Sequence, residues 1–169
     1  MRTAPEHPAG AAVAALRGSV SILGIIAGSA IVGMMAVTCA DIVLRQLGHP
    51  IVGAYDIVRI AGTLAIGCAL PYTTAVKGHV AVEFLVPKLR PLGRLLVEAL
   101  VRSFAAVFFG ALAWQCYVKG EDLRTSGEVT ATLELPIFWV SYLIGIACAV
   151  AVLVEIYHLR NPGKSLMKP

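Results

Sequence analysis

Two acid–base pairs interrupt an otherwise oily sequence. Asp41 and Arg45 are four residues apart and Asp56 and Arg59 three apart, so on a helix each pair shares a face and is positioned to form an ion pair. A third constellation, Lys77-Gly78-His79-Val80-Ala81-Val82-Glu83, puts a histidine and a glutamate at i,i+4. That spacing suits a structural hydrogen bond between His79 and Glu83 better than catalysis or metal binding, which need further ligands or a base close by. Three more acids, Glu121, Asp122 and Glu128, fall in a single polar stretch. No phosphate-cradling glycine loop, no H-E-x-x-H pair and no G-x-S-x-G turn accompanies any of them. The four cysteines, Cys39, Cys68, Cys116 and Cys148, each fall in a different apolar block without a C-x-x-C, which reads as small buried residues.

What must position these groups is set by solvent. Charged residues make up 14% of the chain, against about 25% in ordinary soluble domains, and mean hydropathy is +0.81. Four blocks carry no charge: Ser19–Ala40, Ile60–Val76, Ser103–Val118 and Leu135–Val154. Their lengths, 22, 17, 16 and 20 residues, approach or match the roughly 17 to 25 needed to cross a bilayer. The third is extended backwards by Leu95, Leu96, Val97 and Leu100, with Glu98 and Arg102 able to reach the interface. The sequence therefore predicts an all-α integral membrane protein of four transmembrane helices, about 18–44, 51–77, 90–118 and 135–157, in one membrane domain 17–158. A loose cytoplasmic N-terminus 1–16 and a cytoplasmic tail 159–169 flank it, and the first block, too long for a secretory h-region, is expected to stay as a span.

The net charge of +4 is spread in a way that suits a membrane and not a nucleic acid. Ten of the 14 Lys and Arg residues fall in alternate segments, namely the two tails and the connection between spans two and three. The positive-inside rule then puts both termini and that connection in the cytoplasm. The outward connection, Lys119–Glu134, holds two cations and four acids. Gly48-His49-Pro50 reads as the other outward turn, with Pro50 in the first turn of the second helix. Pro71 predicts a kink within that helix, and Gly78 is suited to end it.

Span centres hold no ionisable side chain, and His7, His49, His79 and His158 all fall outside the charge-free blocks, so neither an ion pathway nor a haem-ligating imidazole pair is expected. No cofactor, metal or catalytic residue is assigned, and an enzyme is not expected. Alternatives of other classes are a small four-helix redox subunit, binding haem or quinone, and an autonomous small exporter. What the spans do carry is small residues every four positions: Gly24 and Gly28 in the first, Ala61, Ala65 and Ala69 in the second, Ser141, Gly145 and Ala149 in the last. Such stripes allow close helix packing, within the chain or against another protein. Residues 79–89 read as a short interfacial segment, with His79 and Glu83 on one side, Val82, Leu85 and Val86 largely opposite, and Lys88 and Arg90 near anionic headgroups.

Taken together, the Asp41 to Arg45 rim, the G-H-V-x-V-E-F-L element from Gly78 to Leu85, and GEVTATLELP from Gly127 to Pro136 followed by Phe138-Trp139 resemble the DctQ-like small membrane subunit of tripartite ATP-independent periplasmic (TRAP) transporters. The resemblance covers roughly residues 19–157. Glu83 stands where that family often has Asp, and Ala54, Tyr55 and Asp56 stand where it often has a bulky aromatic and Glu. The resemblance implies a non-catalytic partner, in the bacterial inner membrane, of a large membrane subunit that carries the substrate site and moves as an elevator. It also implies a periplasmic solute-binding protein and an organic-acid solute. On that reading Gly24, Gly28, Ser141, Gly145 and Ala149 pack on the large subunit, Asp41, Arg45, Asp56, Arg59, Gly78, His79, Glu83 and Trp139 form the rim and interfacial set, and Glu121, Asp122 and Glu128 contact the binding protein.

Overall fold

The structure is a computed structural model; it describes residues 8–76 and 91–160. Among these, four helices carry the architecture: α1 Pro8–Gln46, α2 Ala54–Ala75, α3 Pro91–Ser126 and α4 Phe138–Arg160. All four are long and apolar enough to cross a membrane. With a rise of about 1.5 Å per residue, α2 at 22 residues matches the roughly 30 Å of hydrocarbon, whereas α1 at 39 and α3 at 36 exceed it and must tilt or project.

Packing follows the small residues. α1 lies on α2, α2 on α4, and α4 on α3, so α4 touches both α2 and α3 while those two barely meet. Two apolar clusters tie α1, α2 and α4 together: Leu23, Ala27, Cys68 and Ala147 at mid-height, then Val20, Ala75 and Val154 towards the tails. Each of these three interfaces holds a glycine against the neighbouring helix. A Cβ on Gly24 would lie 3.3 Å from the Tyr72 ring, one on Gly67 would lie 2.8 Å from Ile144, and one on Gly145 would lie 3.4 Å from Cys116. α3 joins neither cluster, and only 6% of its membrane window is buried.

Helix ends depart from the sequence expectation: α1 begins at Pro8, ten residues before the expected start and inside the segment 1–16 expected to be loose, and α4 begins at Phe138 instead of 135. α3 runs eight residues past the expected end at 118, to Ser126, so Glu121 and Asp122 are helical and only Glu128 is in a loop. The polar run KGEDLRTS reads as a loop by composition, yet Leu123 and Gly120 are buried and Thr125 bonds back to Glu121 O, which holds the turns together. Gly127, at φ 65°, then ends the helix, with Glu128 N donating to Leu123 O in a six-to-one closure. Gly48 closes α1 the same way, with His49 N donating to Leu44 O at 2.9 Å. A further departure is Pro50, which lies outside the first turn of α2; that helix starts at Ala54, after Gly53. α2 continues as a helix through Pro71 to Ala75.

Candidate functional site

The polar residues singled out by spacing gather mainly at the end of the bundle where α1 meets α2 and α3 meets α4, here termed the turn end. Asp41 does form the expected pair, accepting from Arg45 Nη2 at 2.8 Å, but its second oxygen accepts from Ile51 N at 2.9 Å. A rim pair thereby also fixes the path of the α1–α2 turn.

Asp56 does more. Its carboxylate is 2% exposed and lies in the first turn of α2, but its oxygen Oδ2 accepts from Thr132 N at 2.8 Å and Leu133 N at 3.0 Å, across the molecule in the α3–α4 connection. Its relation to Arg59 is electrostatic attraction, whereas its hydrogen bonds come from the Thr132 and Leu133 amides and the Thr130 side chain. The spacing predicts a solvated rim pair here; the structure has a buried anchor instead.

The connection it holds is itself closed by local bonds. Val129 and Pro136 form an isolated antiparallel bridge, Thr130 N donates to Leu135 O, and Leu135 N donates to Thr130 Oγ1. Leu133 then seats against Gly53, where an added Cβ would collide with the Leu133 side chain and the backbone is left-handed at φ 81°. Gly53, Asp56, Thr130 and Leu133 therefore form a clasp across the turn end. Local spacing has no signal for it, because Asp56 and its partners are separated by 76 and 77 positions.

On the far side of the clasp, Tyr142 Oη donates to Glu121 Oε2 at 2.7 Å, and Arg124 lies 3.9 Å from the same carboxylate. Gly120 leaves room for the Tyr142 ring, which also contacts Tyr117 and Phe138. Glu121 is thus engaged in joining α3 to α4, while Asp122 and Glu128 are exposed. Trp139 is exposed at the base of the clasp and lines a shallow apolar groove with Ile26 and Leu135. Arg59 is exposed about one turn and a half into α2.

The small-residue stripes divide. Gly24 packs against Tyr72 and Gly145 against α3, both within the chain, and Ser141 is half-buried. Gly28 has nothing within 4 Å of an added Cβ, and it and Ala149 are exposed. Gly78, His79, Glu83 and the interfacial segment 79–89 lie outside the described residues.

Near the opposite, tail end is an ion pair that the sequence reading did not single out. Arg102 Nη1 donates to Glu155 Oε2 at 3.3 Å, linking α3 to α4 with side chains 14% and 1% exposed. Each flanks a charge-free block, Arg102 just before Ser103 and Glu155 just after Val154, and that matched placement was the available signal. His158, one turn further on, is buried too.

A bundle of this kind has polar contacts that hold helices to one another and large outward apolar faces. The family model for tripartite ATP-independent periplasmic transporters, DctQ component, matches residues 34–162. The chain belongs to the DctQ family. It is a small membrane subunit of a TRAP transporter, a multi-pass component of a multi-subunit carrier and not a member of an enzyme family. The DctQ match covers the turn-end clasp, Arg102 and Glu155, and most of the exposed face of α3. Neither the curated proteins nor the solved structures offered a match.

Proposed function

We propose that this DctQ component braces the static scaffold of the large membrane subunit, in a bacterial inner membrane with both tails cytoplasmic, for uptake of an organic acid delivered by a periplasmic solute-binding protein. The observation that carries the reading is α3. Leu96, Leu100, Phe104, Val107 and Phe108 form an exposed apolar stripe along a helix whose window is only 6% buried. α3 packs mainly on α4, so the outward side that carries this stripe is available to a larger neighbour, and the Tyr142–Glu121 bond and the Arg102–Glu155 pair hold it to α4. An elevator needs such a fixed element, since a domain translates across the membrane only relative to something held still. The excess of cations in alternate segments supports the orientation.

On this account the partner surface uses the exposed members of the small-residue stripes. Gly28→Leu combined with Ala149→Leu should cut recovery of the large subunit in a pull-down about tenfold, the effect of roughly 1.4 kcal/mol of overpacking at one interface. Gly24→Leu should instead destabilise the isolated chain, because its side chain would enter the space of Tyr72. Unchanged recovery with the double variant removes Gly28 and Ala149 from the contact.

Asp122 and Glu128 are the proposed contact with the binding protein, with Glu121 held back by Tyr142. Reversing both charges to Lys should slow docking several-fold at low salt and much less at high salt, as expected of exposed charges. Docking rates identical to wild type at low salt would leave this end a connector only.

A further inference from the structure

Between α2 and α3, with α4 beneath, runs an apolar groove of about 470 Å³. Gly62, Ile66 and Leu70 of α2, Leu112 of α3 and Ile144 of α4 line it, and Arg59 stands at the turn-end mouth. We propose that this groove is a phospholipid site, holding one acyl chain along its length and the phosphodiester of an anionic headgroup at Arg59.

Three observations favour a lipid over other occupants. The groove exists because α2 and α3 both pack on α4 but barely on each other, which leaves a slot open to the bilayer with Ile66 exposed at its rim. Its length along α2, from Val58 to Leu70, is about 18 Å at the helical rise, close to the roughly 15 Å depth of one leaflet. Its one charge is at the end where a headgroup would lie: Arg59 is one turn and a half into α2, level with the clasp, and its guanidinium makes no hydrogen bond among the described residues. A guanidinium offers paired donors to phosphate oxygens, which gives the headgroup an orientation as well as a charge. Gly62 lines the slot without a side chain to fill it, and an added Cβ would meet only Met34 Sδ, at an ordinary contact distance of 3.6 Å.

The test uses the full-length chain, purified in detergent, stripped of lipid and titrated with dioleoylphosphatidylglycerol in mixed micelles, with bound lipid counted by native mass spectrometry. One lipid per chain should bind with saturable affinity. Arg59→Gln should weaken it about tenfold, the effect of losing one charge-assisted contact, and Gly62→Leu should abolish it by filling the slot. Dioleoylglycerol, with the same chains and no phosphate, should bind at least as weakly as the lipid does to Arg59→Gln, and inorganic phosphate should not compete. Helix content and melting temperature are read for both variants, and the conservative Arg59→Lys should restore part of the affinity. Equal lipid counts in wild type, Arg59→Gln and Gly62→Leu would overturn the proposal. So would variants that keep their lipid but lose the large subunit from the co-expressed complex, which would make the groove a protein interface.

Discussion

Asp56→Ala is expected to open the turn end. The wild-type carboxylate, 2% exposed, receives the amides of Thr132 and Leu133, and without it two backbone donors face a site shaped for an anion. Hydrogen bonds to a charged acceptor stabilise more than neutral ones, and leaving buried donors unmet costs about 1 to 3 kcal/mol, so a loss of about 3 kcal/mol is expected. It should show as earlier unfolding in detergent, followed by maleimide labelling of the buried Cys68 and Cys148, and as faster proteolysis between Gly127 and Ile137. Asp56→Asn keeps an acceptor without the charge and should recover about half of the loss. Gly53→Ala attacks the same clasp from the other side, combining a left-handed φ with a collision against Leu133, and should cost about 2 kcal/mol. If Asp56→Ala labels and cleaves like wild type, the clasp does not hold the α3–α4 connection.

The second large effect is expected at the tail end. Glu155 is 1% exposed and its partner Arg102 is 14% exposed, so the pair is largely withdrawn from water. Removing one member of such a pair typically costs about 3 to 5 kcal/mol, whereas replacing both by apolar residues of similar volume is often neutral. Glu155→Leu alone should therefore destabilise strongly, and Glu155→Leu with Arg102→Met should recover most of the loss. Both residues take part in further interactions, so the recovery should be incomplete. Melting curves for the two single variants and the double variant form a cycle whose coupling measures the pair. Additive losses would mean that the two charges are stabilised independently.

These contacts also mark where the sequence was legible. The four helices follow from blocks without charge, because hydrocarbon leaves a polar side chain few alternatives and the blocks have the length of a bilayer crossing. Arg45 and Asp41 were legible as a pair because a helix brings positions four apart together whatever the tertiary fold. Asp56 was not, since its partners are amides 76 and 77 positions away and a backbone donor has no sequence signature. The end of α3 was missed because a charged run resembles a loop by composition; what makes KGEDLRTS helical is packing of Gly120 under Tyr142 and closure at Gly127. The small-residue stripes were visible, but a stripe gives a face without its partner. Gly24 and Gly145 turn inward, Gly28 and Ala149 outward, and only the tertiary arrangement separates them.

Reconstitution tests the central claim, that this DctQ component is a structural subunit of the carrier and has no transport path of its own. Proteoliposomes holding this chain alone, the large subunit alone, or both are supplied with the solute-binding protein and labelled solute under an ion gradient. The account predicts uptake only when both membrane subunits and the binding protein are present, and background counts from this chain alone. Solute accumulation in vesicles that contain only this chain would contradict it.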